Sequence, residues 1–104
     1  MSSAPQDRLR DAAKALYDYP KAKRRGDQRI VDAVESAMEA QAAYHNGNDR
    51  LRMIQLKYFR QTHTLQGVAM QTNYSLQTVK RWNGEILSGV SSALIRGDKK
   101  GPGD

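Results

Sequence analysis

Between Leu65 and Trp82 the chain reads LQGVAMQTNYSLQTVKRW, and the residue types there suit contact with a nucleic-acid duplex. Lys80 and Arg81 form a pair of adjacent cations, the chemistry that holds a polyanion. Shortly before them, Ser75 has the short hydroxyl that accepts a hydrogen bond from an orphan backbone N–H and so marks a helix start. Asn73 tolerates positive φ, which lets the chain turn sharply just ahead of that helix. Val68 and Ala69 fall on a short helix before the turn. Val79, Trp82, Ile86 and Val90 fall on one face of the helix after it. Ala69 is small enough for the two helices to approach at a steep angle. Together these positions have the spacing of a helix-turn-helix whose second helix is apolar inward and basic outward. Two positions depart from the strongest form of the pattern. Thr72 would ordinarily be more apolar and Asn73 more often Gly, but neither change prevents the geometry.

The rest of the chain reads as support for that pair. A helix is expected from Asp49 to about Arg60, where Leu51, Ile54, Leu56, Tyr58 and Phe59 make the most apolar segment and the expected central core helix. Thr64 then caps the first helix of the pair. Upstream, Ile30, Val34, Ala37, Met38 and Tyr44 give an apolar stripe to a helix running from Asp27 or Gln28 to His45. Asn46-Gly47-Asn48 is expected to end it, with Gly47 in the left-handed position. A first helix begins at Asp7 with Leu9, Ala12, Ala13, Leu16 and Tyr17 on one face, and Pro20 is expected to end or interrupt it. The run Lys21-Ala22-Lys23-Arg24-Arg25 follows, either as a solvated basic turn or as a patch that contacts phosphate through Lys23, Arg24 and Arg25. Gly26 and Asp27 read as a break and a new N-cap. The expectation is an all-α fold, a small helical domain of four to five helices over residues 7–95. Its C-terminal helix-turn-helix spans about 64–95, between tails at 1–6 and 96–104.

Composition narrows the function classes. The chain has 104 residues, enough for one domain, and an apolar fraction of 38%, so the core is small and self-association is a plausible source of added stability. Seventeen Lys and Arg against eleven Asp and Glu give a net charge of +6, which favours nucleic acid or an acidic membrane as partner. The sign alternates along the chain: +4 over residues 1–26, −3 over 27–48, +5 over 49–104. The acidic middle helix should therefore face away from DNA. No apolar run reaches membrane-spanning length and MSSAPQDRLR lacks a hydrophobic signal core, so neither a spanning helix nor secretion by that route is expected. With no Cys there is no disulfide, thiolate chemistry or Cys-ligated zinc, which fits a reducing, cytoplasmic setting. His45 and His63 have no metal-ligand partner at helical spacing, so no metal is expected. No Gly-rich phosphate loop, activated nucleophile or working pair of carboxylates is evident, and neither enzymatic activity nor a cofactor is expected. Trp82 reads as core rather than as a platform for stacking bases.

Three stretches carry a family resemblance: ALYDYP (Ala15 to Pro20), IQLKYF (Ile54 to Phe59) and SLQTVKRWNGEIL (Ser75 to Leu87). The sequence resembles the small phage-encoded transcriptional regulators of the RinA/ArpU type, activators of late or packaging genes. The last stretch also resembles the promoter-reading fourth region of bacterial sigma factors, where a Ser begins the recognition helix and a Thr-Val-basic-basic run follows. The resemblance implies sequence-specific binding of double-stranded DNA near a phage or prophage promoter, within a bacterial host. Carried over to this chain, it implies base reading by Gln77, Thr78 and Arg81, with Ser75 beside them. Gln77 suits adenine, Arg81 guanine, and Thr78 a thymine methyl. Lys80 and Thr64 are implied as phosphate contacts that fix register. RNA polymerase and a second copy of the chain are further candidate partners. Two other readings remain: a small terminase subunit that marks DNA for packaging, against which the short segment after Ile95 counts, and an interaction module whose acidic middle helix binds polymerase.

Overall fold

A computed structural model describes residues 5–99, with side chains for 7–97. Five α-helices follow one another: α1 Pro5–Arg25, α2 Gln28–Ala42, α3 Gly47–Ile54, α4 Leu65–Thr72 and α5 Leu76–Lys99, with a π-helical turn over Gln55–Phe59 that continues α3. No strand occurs among the described residues, so the all-α expectation holds.

The central element is α5, not the apolar α3 segment that the sequence points to. Val79, Trp82, Ile86, Val90 and Leu94 recur along it at three- and four-residue steps, and all are buried. α2 lies antiparallel beside it. Ala33 sits by Ala93, Ala37 by Gly89, and Gln41 shares an arginine with Glu85. A Cβ on Gly89 would stand 3.3 Å from that of Ala37, so two small residues set the close approach of the helices. Leu16 of α1, Val34 of α2, Met53 and Ile54 of α3, and Val68 of α4 close the core around Trp82.

Several boundaries differ from expectation, each for a physical reason. α1 starts at Pro5, where a missing N–H costs nothing in a first turn. It also runs straight through Pro20, although proline removes one helical hydrogen bond. Packing on both sides of the proline overrides that loss. Leu16 and Ala22 are fully buried, Tyr19 stacks on Phe59, and Arg25 reaches back two turns to Asp18 at 2.6 Å. The basic run is therefore the last turn of a helix rather than a free turn. The break falls at Gly26, which is left-handed at φ 77°.

α2 ends at Ala42, short of His45, and Tyr44 lies in the turn after it, half exposed, rather than on the apolar stripe. Gly47 is not left-handed. It opens α3, and a Cβ there would stand 2.4 Å from the carbonyl oxygen of Ala42, so close approach explains the glycine. At the other end α5 continues past Ile95 to Lys99. The tail expected at 96–104 is thus helical over its first four residues, while 100–104, like residues 1–4, lie outside the described residues.

Arg50 is the residue that composition and periodicity do not single out. Its guanidinium is buried, yet it donates to Asn46 Oδ1 at 2.8 Å, Gln41 Oε1 at 2.8 Å and Glu85 Oε2 at 2.9 Å, and it lies 3.8 Å from the centre of the Tyr44 ring. One cation thus joins α2, the turn after it, α3 and α5.

Two predictions follow from the core. Trp82 is fully buried, and among the described residues its indole N–H has no hydrogen-bond partner. Trp82→Ala should cost roughly 3–5 kcal/mol in urea unfolding. Trp82→Phe should cost far less, because it removes an unsatisfied donor along with the lost area. Tyr58 is buried against Tyr17 and donates to Asn83 Oδ1. Burial first, and then its neighbour Tyr17, push its phenol well above the ordinary 10.0. A raised pKa contributes stability that is fully present below the unfolded value and lost as pH rises through the folded one. Stability should therefore hold up to about pH 10 and fall above it, and Tyr58→Phe should make that fall shallower by up to about 1.4 kcal/mol per pH unit.

Candidate nucleic-acid interface

The helix-turn-helix geometry is built from four local devices. Thr64 is extended, and its Oγ1 accepts from the Gly67 N–H at 3.1 Å, which caps α4 as the sequence predicts. Within α4, Val68 and Ala69 face inward and are buried. Thr72, at the position where an apolar residue was expected, donates its hydroxyl to the Val68 carbonyl at 2.7 Å and so brings no unsatisfied polar group to the interior. Asn73 then takes the left-handed conformation at φ 63°, ψ 23°, the sharp reversal that its type allows.

After the turn, Ser75 Oγ accepts from the Thr78 N–H at 3.1 Å and donates to Thr78 Oγ1 at 2.8 Å. These two implied base readers are thus bound to each other in the cap of α5. In this arrangement they set the direction of the first turn. Gln77, Lys80 and Arg81 are exposed, on the side of α5 opposite Val79 and Trp82. Gln77 and Arg81 are four residues apart and share one face, with Lys80 beside them. An amide and a guanidinium at that spacing offer two bidentate hydrogen-bonding groups to adjacent base edges, and the ammonium offers a point charge to phosphate.

Sequence reasoning missed what fixes this face in place. Tyr74, in the turn, packs edge-on against Trp82 with ring centroids 4.6 Å apart and donates its hydroxyl to Asp49 Oδ2 at 2.9 Å. That hydrogen bond to a carboxylate holds the phenol above its ordinary range. Arg50, the next residue along, pairs with Glu85 one turn beyond Arg81. An Asp-Arg pair at the start of an apolar helix is a legible feature, but its partners are 25 and 35 residues away and no local pattern announces them.

The basic run of α1 does not join this face. Lys23 lies 3.5 Å from Glu35 of α2 and from the Tyr19 hydroxyl, and Arg25 pairs with both Asp18 and Asp27. The Arg25 guanidinium beside Asp18 holds that carboxyl below its usual range. Glu35 lies level with the Gly89–Ala93 part of α5, about 12–18 Å along the axis from Arg81 at 1.5 Å per residue. Arg24 is exposed. Of the three, two are engaged by carboxylates of their own chain.

The turn and cap yield a paired test by urea unfolding. Asn73→Gly should stay within about 0.5 kcal/mol of the parent, whereas Asn73→Ala should lose roughly 1 kcal/mol or more, because alanine resists positive φ. Ser75→Ala should lose about 1 kcal/mol through the cap. Comparison of the chain with known protein families, curated proteins and solved structures finds no match, so the interface stands on its own geometry.

Proposed function

We propose that the protein is a sequence-specific regulator of transcription that binds double-stranded DNA. In this reading it acts near a phage or prophage promoter of a bacterial host, as an activator of late or packaging genes. The observation that carries the proposal is the pairing of a left-handed Asn73 with a Ser75-capped α5 whose outward face presents Gln77, Lys80 and Arg81. The recognition helix of such a motif lies in the major groove with its first residues on base edges. Gln77 reads adenine and Arg81 guanine, each worth about 1–3 kcal/mol of discrimination, while Lys80 holds a phosphate. The net charge of +6 supports the same partner. Among the described residues no helix is long and apolar enough to cross a membrane. One helix-turn-helix reads few base pairs, so the regulator works either as a dimer or docked on RNA polymerase. The promoter and late-gene part of the proposal rests on the RinA/ArpU resemblance.

A second reading, an interaction module, draws support from the outer side of α2. Tyr19, Met38, Ala42 and Leu51 line a shallow groove there, flanked by Glu35 and Glu39. Glu35 is already engaged by Tyr19 and Lys23, so Glu39 is the residue left to meet a basic partner segment.

Binding selection against fragments of the source genome, at near-physiological salt, tests the first reading. One or a few enriched sites upstream of a gene are expected. Arg81→Ala should lose affinity chiefly at one or two base positions of such a site. Lys80→Ala should weaken every sequence alike and reduce the salt slope by about one unit. No enrichment over random duplex, together with loss of regulation in Glu39→Lys, would favour the interaction module.

A further inference from the structure

A second feature borders the helix-turn-helix and has no part in the base-reading face. Between the α3–π-turn segment and α4 lies a groove of about 700 Å3, lined by Arg52, Gln55, Arg60, Thr62, His63 and Gln71 among others. Its charged residues are all basic. Among the described residues neither Arg52 nor Arg60 has a carboxylate within ion-pair distance, whereas Lys23 and Arg50 each have one and Arg25 has two. The two guanidiniums are exposed, and their forked donors remain available.

The backbone beneath them is irregular. The Arg60 N–H reaches the Gln55 carbonyl at 2.7 Å, a five-residue closure, and the Thr62 and His63 N–H groups both reach the Leu56 carbonyl. Gln61 follows in the left-handed region at φ 56°, uncommon for a residue that is neither Gly nor Asn. This wide turn brings Arg60, eight residues after Arg52, to the same groove.

Position relative to α5 says what the groove would meet. The hydrogen bond from Tyr74 to Asp49 holds the start of α3 against the turn of the motif, and Gln71 of α4 forms part of the groove wall. α4, which forms one wall of the groove, also packs on α5, so the groove lies beside the first helix of the motif. The major groove of B-DNA is about 12 Å wide and is bordered by the phosphate strands. A helix seated in it has a strand about one helix width to its side. α4, which would lie over that strand, contains no charged residue in its sequence LQGVAMQT. The cations must come from a neighbouring element, and Arg52 and Arg60 are the ones that border α4.

We propose that this groove seats the phosphodiester backbone of the bound duplex, with Arg52 and Arg60 each engaging a phosphate and Gln55 and Gln71 as neutral donors beside them. The inference rests on the DNA-binding reading and extends its footprint beyond the motif to the element before it.

The test is the salt dependence of duplex affinity for the full chain. Compared are Arg52→Ala/Arg60→Ala, a charge-matched control Arg8→Ala/Lys14→Ala on α1, and the parent, each verified by circular dichroism and thermal melting. The groove variant should bind every duplex more weakly and lose about two units of the log–log slope, since each phosphate contact contributes about 0.9. Arg52→Lys/Arg60→Lys should recover most of that slope and keep the protein's fold under the same check. The control should keep the parent slope. A parent slope in the groove variant overturns the inference while leaving the DNA reading intact, as does an equal loss in the control, which would reduce the effect to net charge. Amide shifts at Gln55, Thr62 and Gln71 that saturate with inorganic phosphate, with the duplex slope unchanged, would give the groove to a free anion and also overturn it. A parent protein that binds no duplex at all removes the underlying reading and the inference with it.

Discussion

A buried guanidinium is the constraint on which the rest of this small fold depends. Removing a cation from water costs several kcal/mol even after relaxation, and the cost is offset only when its donors are met with good geometry. For Arg50 the acceptors are Gln41 on α2, Asn46 in the following turn and Glu85 on α5, with the Tyr44 ring stacked on its face. They can be satisfied together in one arrangement of the three elements. Glu85 lies one turn beyond Arg81 and two beyond Gln77, so the ion pair that anchors it also fixes the rotation of α5 about its axis. A slip of one residue would turn that helix by about 100° and carry the outward face away with it. The charge is therefore a device for register rather than a large source of stability.

Around that anchor the packing is thin and depends on small residues. Gly89 against Ala37, and Gly47 against the Ala42 carbonyl, allow helix axes and chain to come closer than larger side chains would permit. Aromatic residues fill what remains. Tyr17 meets Tyr58 and Tyr19 meets Phe59 across elements distant in sequence, and Tyr74 meets Trp82 between the turn and the helix after it. The hydroxyls of Tyr19, Tyr58 and Tyr74 find Glu35, Asn83 and Asp49, so these rings bring few orphaned polar atoms to the interior. A chain with 38% apolar residues builds a core in this way, with side chains that are hydrophobic in body and polar at the tip.

The sequence made the local parts legible and left the long-range ones hidden. Thr64, Asn73 and Ser75 act through their own neighbours, and their types alone indicate a cap, a left-handed turn and a second cap. The inward stripe of α5 is equally plain, because Val79, Trp82, Ile86 and Val90 follow a strict period. Pro20 misleads because its local preference is overridden by contacts of its neighbour Tyr19 with Phe59 and Glu35, which no window around the proline contains. Gly47 misleads in another way, since glycine serves both positive φ and close approach, and only coordinates separate the two. The wide turn at Gln55–Phe59 has no sequence signature of its own: Ile54, Leu56 and Tyr58 alternate as in a strand, Ile54 and Tyr58 also fit a helix, and neither period announces a five-residue closure. Of the candidate site, Gln77, Lys80 and Arg81 stand where the spacing puts them, Ser75 and Thr78 are drawn into the cap, and Lys23 and Arg25 of the basic run are held in internal ion pairs.

These features describe a scaffold that uses the buried Arg50 and its best capping residues to hold the first two turns of α5 outward. Amide chemical-shift mapping of the labelled protein on addition of a random-sequence duplex tests that account most directly. The account predicts the largest changes over Ser75–Gly84 and along 52–64, with α2 nearly silent. Changes concentrated on α2, with the start of α5 unmoved, would contradict it.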